Sequence, residues 1–210
     1  MKIPFFLSLF IIFLVFFNIK IKKSNRDAED SKKKFLEKER QSMFVRKKSL
    51  ENLDYINISL EGLPLINEKE LSTYAQKQAY HYQEMALQLI LKPMLDLSST
   101  SNTDLKLQYG PANLEALISY EQNYLLLLKT MLNWGKFLSE ANKIEDSIKV
   151  LEKGIEIGSD LSQNYILLSE LYHKTHQKHK LIQLKEVAYK NFSQNVMFKK
   201  VIQHIDNILE

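Results

Sequence analysis

Apolar side chains dominate the beginning of the chain. From Ile3 to Phe17 nearly every residue is aliphatic or aromatic, and no charged residue stands between Lys2 and Lys20. Continued to Ile19 as a helix, this run is about 25 Å long, because each residue adds about 1.5 Å. That length is at the short end of what crosses the hydrocarbon core of a bilayer. The pattern therefore predicts a transmembrane anchor over residues 1–19.

Two alternatives to a permanent anchor are a cleaved signal peptide and a buried core helix. A signal peptide has an apolar stretch of about 7–15 residues and then small residues at a cleavage site. Here the apolar run is longer, and Asn18, Ile19 and Lys20 follow it. A core helix usually keeps a polar stripe, and this segment has none. The sequence thus favours a single-pass membrane protein with an uncleaved anchor.

Basic residues dominate the segment after the anchor. Residues 20–50 hold twelve Lys or Arg against five Asp or Glu, whereas residues 51–210 hold sixteen against twenty. The positive-inside rule then predicts that the soluble domain is cytoplasmic. The alternative is that the two residues before the span stay inside and the domain is exported. We interpret residues 20–55 as a charged stalk that becomes helical toward its end. Such a stalk can also attract anionic lipids, at about 1 kcal/mol for each well-placed Lys or Arg.

The remaining residues, 56–210, have the composition and periodicity of a helical domain. The whole chain contains five glycines and four prolines, so few residues interrupt helices. Asn67 with Glu70 predicts a helix start, and Pro93 predicts its end. Pro111 predicts the first turn of a long helix. One helical face carries apolar residues of the predicted core: Leu71, Tyr74, Ala75, Ala79, Tyr82, Met85, Ala86, Leu89 and Ile90.

The second half of the chain contains landmarks that recur after 34 positions. Trp134, Gly135, Leu138, Ser147 and Gly154 are followed one period later by Leu168, Ser169, Tyr172, Leu181 and Ala188. This pattern of large, small and aromatic residues resembles the tetratricopeptide repeat family, whose unit is a helix–turn–helix of 34 residues. The resemblance implies repeats at about residues 128–161 and 162–193, followed by a capping helix at about residues 194–209. The expected fold is all-α, a short right-handed stack of helical hairpins.

The resemblance implies that the chain binds other proteins through the concave face of the stack. The first helix of each hairpin lines that face. By the register above, the candidate groove consists of Lys129, Leu132, Asn133, Lys136, Gln163, Ile166, Leu167, Glu170 and His173. The apolar members favour an amphipathic helix or an extended peptide as the partner. The alternative is that Leu132, Ile166 and Leu167 pack on the preceding long helix or on the cap.

Few residues in this chain suggest chemistry. His173, His176 and His179 are spaced like metal ligands, but lysines surround them in what we expect to be a turn, so we predict no metal site. Without cysteine, neither a disulfide framework nor a thiolate metal site is possible. Phosphate-loop and nucleophile-elbow motifs are also missing from the sequence. We therefore expect no catalytic residues and no cofactor.

The sequence as a whole favours a membrane-anchored helical-repeat adaptor or scaffold for an unidentified protein or peptide partner. The alternative is a membrane-associated structural protein whose basic stalk, residues 20–50, contacts anionic lipids. An enzyme is the third possibility, with its catalytic carboxylates brought together only by folding. Nucleic acid is not an expected partner, because the domain is acidic and the chain contains only three arginines.

Overall fold

The computed structural model describes residues 5–192 and 194–210. Its regular structure is helical throughout these residues, with no β-strand among them, which confirms the all-α prediction. Two short 3₁₀ turns lie at Glu68–Glu70 and Pro111–Asn113. The α-helices are α1 (Phe5–Ser42), α2 (Tyr74–Leu89), α3 (Asn102–Tyr109), α4 (Leu114–Glu140), α5 (Ile144–Glu156), α6 (Ser162–Lys174), α7 (Lys178–Phe192) and α8 (Val196–Leu209).

Helix α1 is one continuous helix of 38 residues, whereas the sequence led us to expect a linker after residue 19. Lys, Glu, Arg and Gln in its second half are strong helix formers, and no glycine occurs before Gly62. The helix ends at Ser42, whose buried hydroxyl donates to the Glu39 carbonyl at 2.7 Å. The charged stalk is therefore helical from its beginning.

The anchor predicted at residues 1–19 falls partly on residues 1–4, which lie outside the described part. Within the described part, none of the helices combines the length and the apolar character that crossing a membrane requires.

The first compact unit comprises residues 5–53 together with Leu97–Leu117, so the stalk is not a separate element. Helix α3 packs on α1. Lys38 Nζ donates to Asp104 Oδ1 at 2.6 Å, and the Thr103 hydroxyl donates to Glu39 Oε2 at 2.7 Å. Glu39 also pairs with Lys106, whose side chain is mostly buried. The hydrogen bond from Lys38 lowers the pKa of Asp104, and the hydrogen bond from the Ser101 hydroxyl lowers it further.

Helix α2 begins seven residues after the predicted start. Asn67 does cap a turn, accepting from Lys69 N at 3.1 Å, but only the 3₁₀ turn follows it. The side chain of Glu70 lies outside the described part. The reciprocal capping pair is Thr73 with Gln76: Thr73 Oγ1 accepts from Gln76 N at 3.2 Å, and Thr73 N donates to Gln76 Oε1 at 3.1 Å. The two satisfied donors fix the start of α2 at Tyr74.

The second compact unit comprises Asp54–Asp96 and Ile118–Glu210 and contains two apolar clusters. One joins α2 to α4 around Trp134, which is fully buried. The other joins α5, α6, α7 and α8, and α6 contacts the three other helices. Helix α8 lies in the stretch where the sequence predicts a capping helix, although the expected start near Ser193 lies outside the described part. Asn195 caps it by accepting from Met197 N at 2.9 Å.

Burial of Tyr165 predicts a loss of stability at alkaline pH. Its ring lies 5.0 Å from that of Phe198 and is almost inaccessible, and burial raises the pKa of its hydroxyl from 10.0 to about 12. The neutral hydroxyl of Tyr165 therefore makes its full contribution to the free energy of unfolding below pH 10. That contribution is lost as the pH rises toward 12. We expect the free energy of unfolding to fall by up to about 2 kcal/mol over that range.

Denaturant titrations between pH 9 and pH 12 measure this loss. The Tyr165→Phe variant should show a shallower decline, because it has no hydroxyl to ionise at this position. Some slope should remain in the variant, since burial also raises the pKa of Tyr124 and Tyr172. Identical pH dependence in the two proteins would contradict the assignment to Tyr165.

Candidate functional site

The most unusual surface of the described chain is the apolar first half of α1. Phe13 is 59% exposed, and the other large apolar side chains of this segment are between 40% and 63% exposed. All positions from Leu9 to Phe17 are exposed, which is two and a half helical turns, so apolar groups face every side. We call this surface the apolar segment; its members are Leu7, Leu9, Phe10, Ile11, Ile12, Phe13, Leu14, Val15, Phe16, Phe17, Ile19 and Ile21.

The α4 part of the predicted groove is a polar stripe. Lys129 and Lys136 are exposed and Asn133 is half-buried, and their spacing of four and three residues places them on one face of α4. Lys136 Nζ lies 3.9 Å from Glu140 Oε1, one turn further along the helix. This stripe is thus accessible to a partner.

The apolar members of the predicted groove face the core. Leu132 is only 9% exposed and belongs to the second apolar cluster. Ile166 and Leu167 are half-buried and pack against the same cluster. These placements match the alternative in which the apolar residues pack internally. They leave the polar members to form the accessible surface.

The polar members of the predicted groove on α6 are exposed. Glu170 contacts α8, with Oε1 lying 3.6 Å from His204 Nε2. His173 lines a cavity of about 320 Å³ at the end of α6, together with Tyr172, His176 and Leu181. Gln163 is exposed in the first turn of α6.

An aromatic cluster beside the α4 stripe was not apparent from the sequence. The Phe137 ring stacks on that of Tyr82 at 5.6 Å and meets that of Tyr74 edge-on at 6.3 Å. Lys136 Nζ lies 5.7 Å from the centre of the Phe137 ring. Tyr74, which we expected in the core, is 71% exposed because it is the first residue of α2. The helical spacing of the apolar residues placed Tyr74 on the core face, and only the position of the cap explains why it is exposed.

The ten landmarks of the 34-residue period are all buried. Helices α4 and α5 approach closely at Gly135, since a Cβ there would lie 2.5 Å from Leu151 Cγ. Ser147 completes this contact by donating to the Gly135 carbonyl at 2.6 Å. At Gly154, a Cβ would lie 2.9 Å from Asn164 Nδ2. The small residues thus allow α5 to lie close to both α4 and α6.

The three histidines considered as metal ligands lie near the turn between α6 and α7, as predicted. His173 is in the last turn of α6, His176 is in the connection with a φ of 56°, and His179 is the second residue of α7. Within the described residues, no three His, Cys, Asp or Glu side chains are grouped as metal ligands.

The comparisons with known proteins add no family assignment. No family model matches the chain, and neither the curated proteins nor the solved structures gave a significant match. The resemblance to tetratricopeptide repeats therefore stays a prediction.

Proposed function

We propose that this protein is a membrane-attached helical adaptor that binds a protein partner through its second unit. The apolar segment of α1 is the observation that carries the proposal. Soluble proteins rarely expose apolar patches of more than a few hundred Å² unless the patch is an interaction site. The apolar segment exposes twelve large apolar side chains on one helix. Leaving that much apolar surface in water is unfavourable in free energy.

A lipid environment fits this segment better than a protein groove does. A helix that docks in a groove presents one apolar stripe, whereas a helix surrounded by acyl chains is apolar on every side. The apolar segment is of the second kind. Attachment would raise the effective concentration of the second unit for a partner at the same membrane.

For the second unit we propose a short right-handed stack of helical hairpins, similar to tetratricopeptide repeats. Support comes from the burial of the landmark pairs and from the contacts of α6 with α5, α7 and α8. In such a stack α4 and α6 supply the first helices of two hairpins, and α8 covers the end of the array. The surface formed by α4 would then be part of a binding face.

The partner surface we propose consists of Lys129, Asn133, Lys136, Tyr74 and Phe137. Aromatic and basic residues supply much of the binding energy in protein interfaces, especially where a partner excludes water from them. Tyr74 and Lys136 are exposed side by side with the half-buried Phe137 ring, so one partner side chain could contact all three.

Photo-crosslinking from single positions tests this surface. A benzophenone amino acid at Lys136 or Tyr74 should give the same partner adduct in intact membranes. The matched control positions are Lys149 and Lys190, which are exposed on α5 and α7, and these should give none. The double variant Lys129→Glu/Lys136→Glu should reduce the adduct from Tyr74 at least tenfold. Adducts of equal yield from all four positions would contradict the proposal.

We also propose that the second unit is cytoplasmic, because twelve Lys or Arg lie within residues 20–50. The chain contains no cysteine, so a Ser31→Cys variant carries a single thiol, and Ser31 is exposed on α1. In intact cells this thiol should resist a membrane-impermeant maleimide and should react after the cells are opened. Labelling in intact cells would place the stalk on the outer side.

A further inference from the structure

The basic residues of α1 that follow Ile19 form two clusters that differ in their distance from the apolar segment. Lys20, Lys22, Lys23 and Arg26 lie at the end of the apolar segment, and the sequence 32–34 adds three lysines further on. Asp27, Glu29 and Asp30 separate the clusters. All of these residues are exposed on one continuous helix, so their spacing along it is fixed.

We propose that the first cluster binds anionic phospholipid headgroups while the second does not. This inference rests on the proposed attachment of the apolar segment to a bilayer. If that segment lies among acyl chains, Lys20 and its neighbours are within one to two turns of the apolar boundary, at headgroup level. From Lys20 to Lys33 the helix rises about 20 Å, which is more than twice the Debye length of about 8 Å at physiological salt.

The ion pairs of α1 among the described residues begin beyond the first cluster. Within the second cluster only Lys33 is paired, 3.8 Å from Glu29, and the other pairs, Glu37 with Arg40 at 3.0 Å and Lys38 with Asp104 at 2.6 Å, lie further along the helix. No ion pair joins Lys20, Lys22, Lys23 or Arg26 to an acidic side chain within the described residues. The acidic groups nearest to them on the same helix face are Asp27, four residues from Lys23, and Glu29 and Asp30, three and four residues from Arg26.

An unpaired cation beside a lipid surface recognises phosphate and carboxylate oxygens through charge. The guanidinium of Arg26 adds a fork that can bind two phosphate oxygens together. Lysines at this position interact with the negative surface potential, about −30 mV for an anionic leaflet. By linkage, a surface that stabilises the ammonium form also slows reactions that require the neutral amine.

Lysine labelling of the full chain in lipid nanodiscs tests the division within one molecule. Discs of phosphatidylcholine alone are compared with discs containing three parts phosphatidylserine in ten, and a brief pulse of an acetylating ester is read by mass spectrometry. On the anionic discs, Lys20, Lys22 and Lys23 should react about threefold more slowly, because a potential of about −30 mV changes the neutral fraction by that factor. Lys32, Lys33 and Lys34 should change little, and 1 M salt should remove the difference.

The outcomes separate this inference from the proposal on which it rests. If the chain does not enter either disc, the proposed membrane attachment is wrong. If the chain enters the discs but phosphatidylserine slows the acetylation of both clusters equally, or does not slow that of the first cluster, only the inference about headgroup binding is wrong. A third result would also overturn the inference: added RNA slows acetylation of the first cluster in neutral discs, and phosphatidylserine does not. That result would identify a nucleic acid as the ligand.

Discussion

Replacing Trp134 with alanine should lower the free energy of unfolding by about 3–5 kcal/mol, the range for removing a large aromatic side chain from a core. Trp134 is 0% exposed and belongs to the cluster that joins α2 to α4. Chemical denaturation followed by circular dichroism measures the change.

The Trp134→Phe variant is the matched control. It keeps an aromatic ring and removes the indole N–H, which has no hydrogen-bond partner among the described atoms. Removing an unsatisfied donor offsets part of the lost packing, so this variant should lose less than half as much stability as the alanine variant. Equal losses in the two variants would mean that the site does not depend on aromatic packing.

Introducing two carboxylates into the apolar segment should release the chain from membranes. In the Ile12→Asp/Phe13→Asp variant, each aspartate adds about 2.5–3.5 kcal/mol to the cost of placing this helix at the centre of a bilayer. Together they should lower the partition coefficient into neutral vesicles by at least about a thousandfold. Vesicle flotation of the full chain, quantified against lipid concentration, measures the loss.

A second pair of apolar residues on the same helix provides the control. Phe35 and Leu36 are 56% and 54% exposed, close to the values for Ile12 and Phe13, but they follow the lysine clusters. The Phe35→Asp/Leu36→Asp variant should therefore stay bound to vesicles. Release of both variants to the same degree would show that overall hydrophobicity, and not the position of the segment, determines binding.

The apolar periodicity of the sequence was sufficient to predict the helices of the second half. Pro111 indicated the beginning of the long helix, and α4 begins three residues later, after the 3₁₀ turn at Pro111–Asn113. Helix α8 lies in the stretch where the sequence predicts a capping helix. A proline at a helix start and a regular apolar spacing are local signals, so the sequence alone shows them.

The start of α2 shows the limit of local signals. Asn67 and Thr73 are both suitable caps with a polar partner three residues later, and the sequence gives no reason to prefer one. In the structure, the Gln76 side chain accepts hydrogen bonds from the backbone N–H groups of both Ser72 and Thr73, which favours the later start. This preference depends on side-chain geometry and not on residue type.

Long-range contacts account for the other differences. Helix α3 is only eight residues long with a weak apolar face, and it is held on α1 by contacts of Lys38 and Glu39 with residues more than sixty positions away. The burial of Leu132 also depends on helices that follow it in the chain. Neither contact leaves a local pattern, so the sequence predicted a separate stalk and an apolar groove where the structure has a joined unit and a polar stripe.

The accessibility of one nitroxide at position 13 tests the membrane account most directly. Because the chain has no cysteine, Phe13→Cys can be spin-labelled at a single site in the full protein, with Lys33→Cys as the reference on the same helix. In reconstituted vesicles, the account predicts that the label at 13 collides often with oxygen and rarely with a polar nickel chelate, while the label at 33 shows the opposite. Collision of both labels with the nickel chelate at the rate of an aqueous site would contradict it.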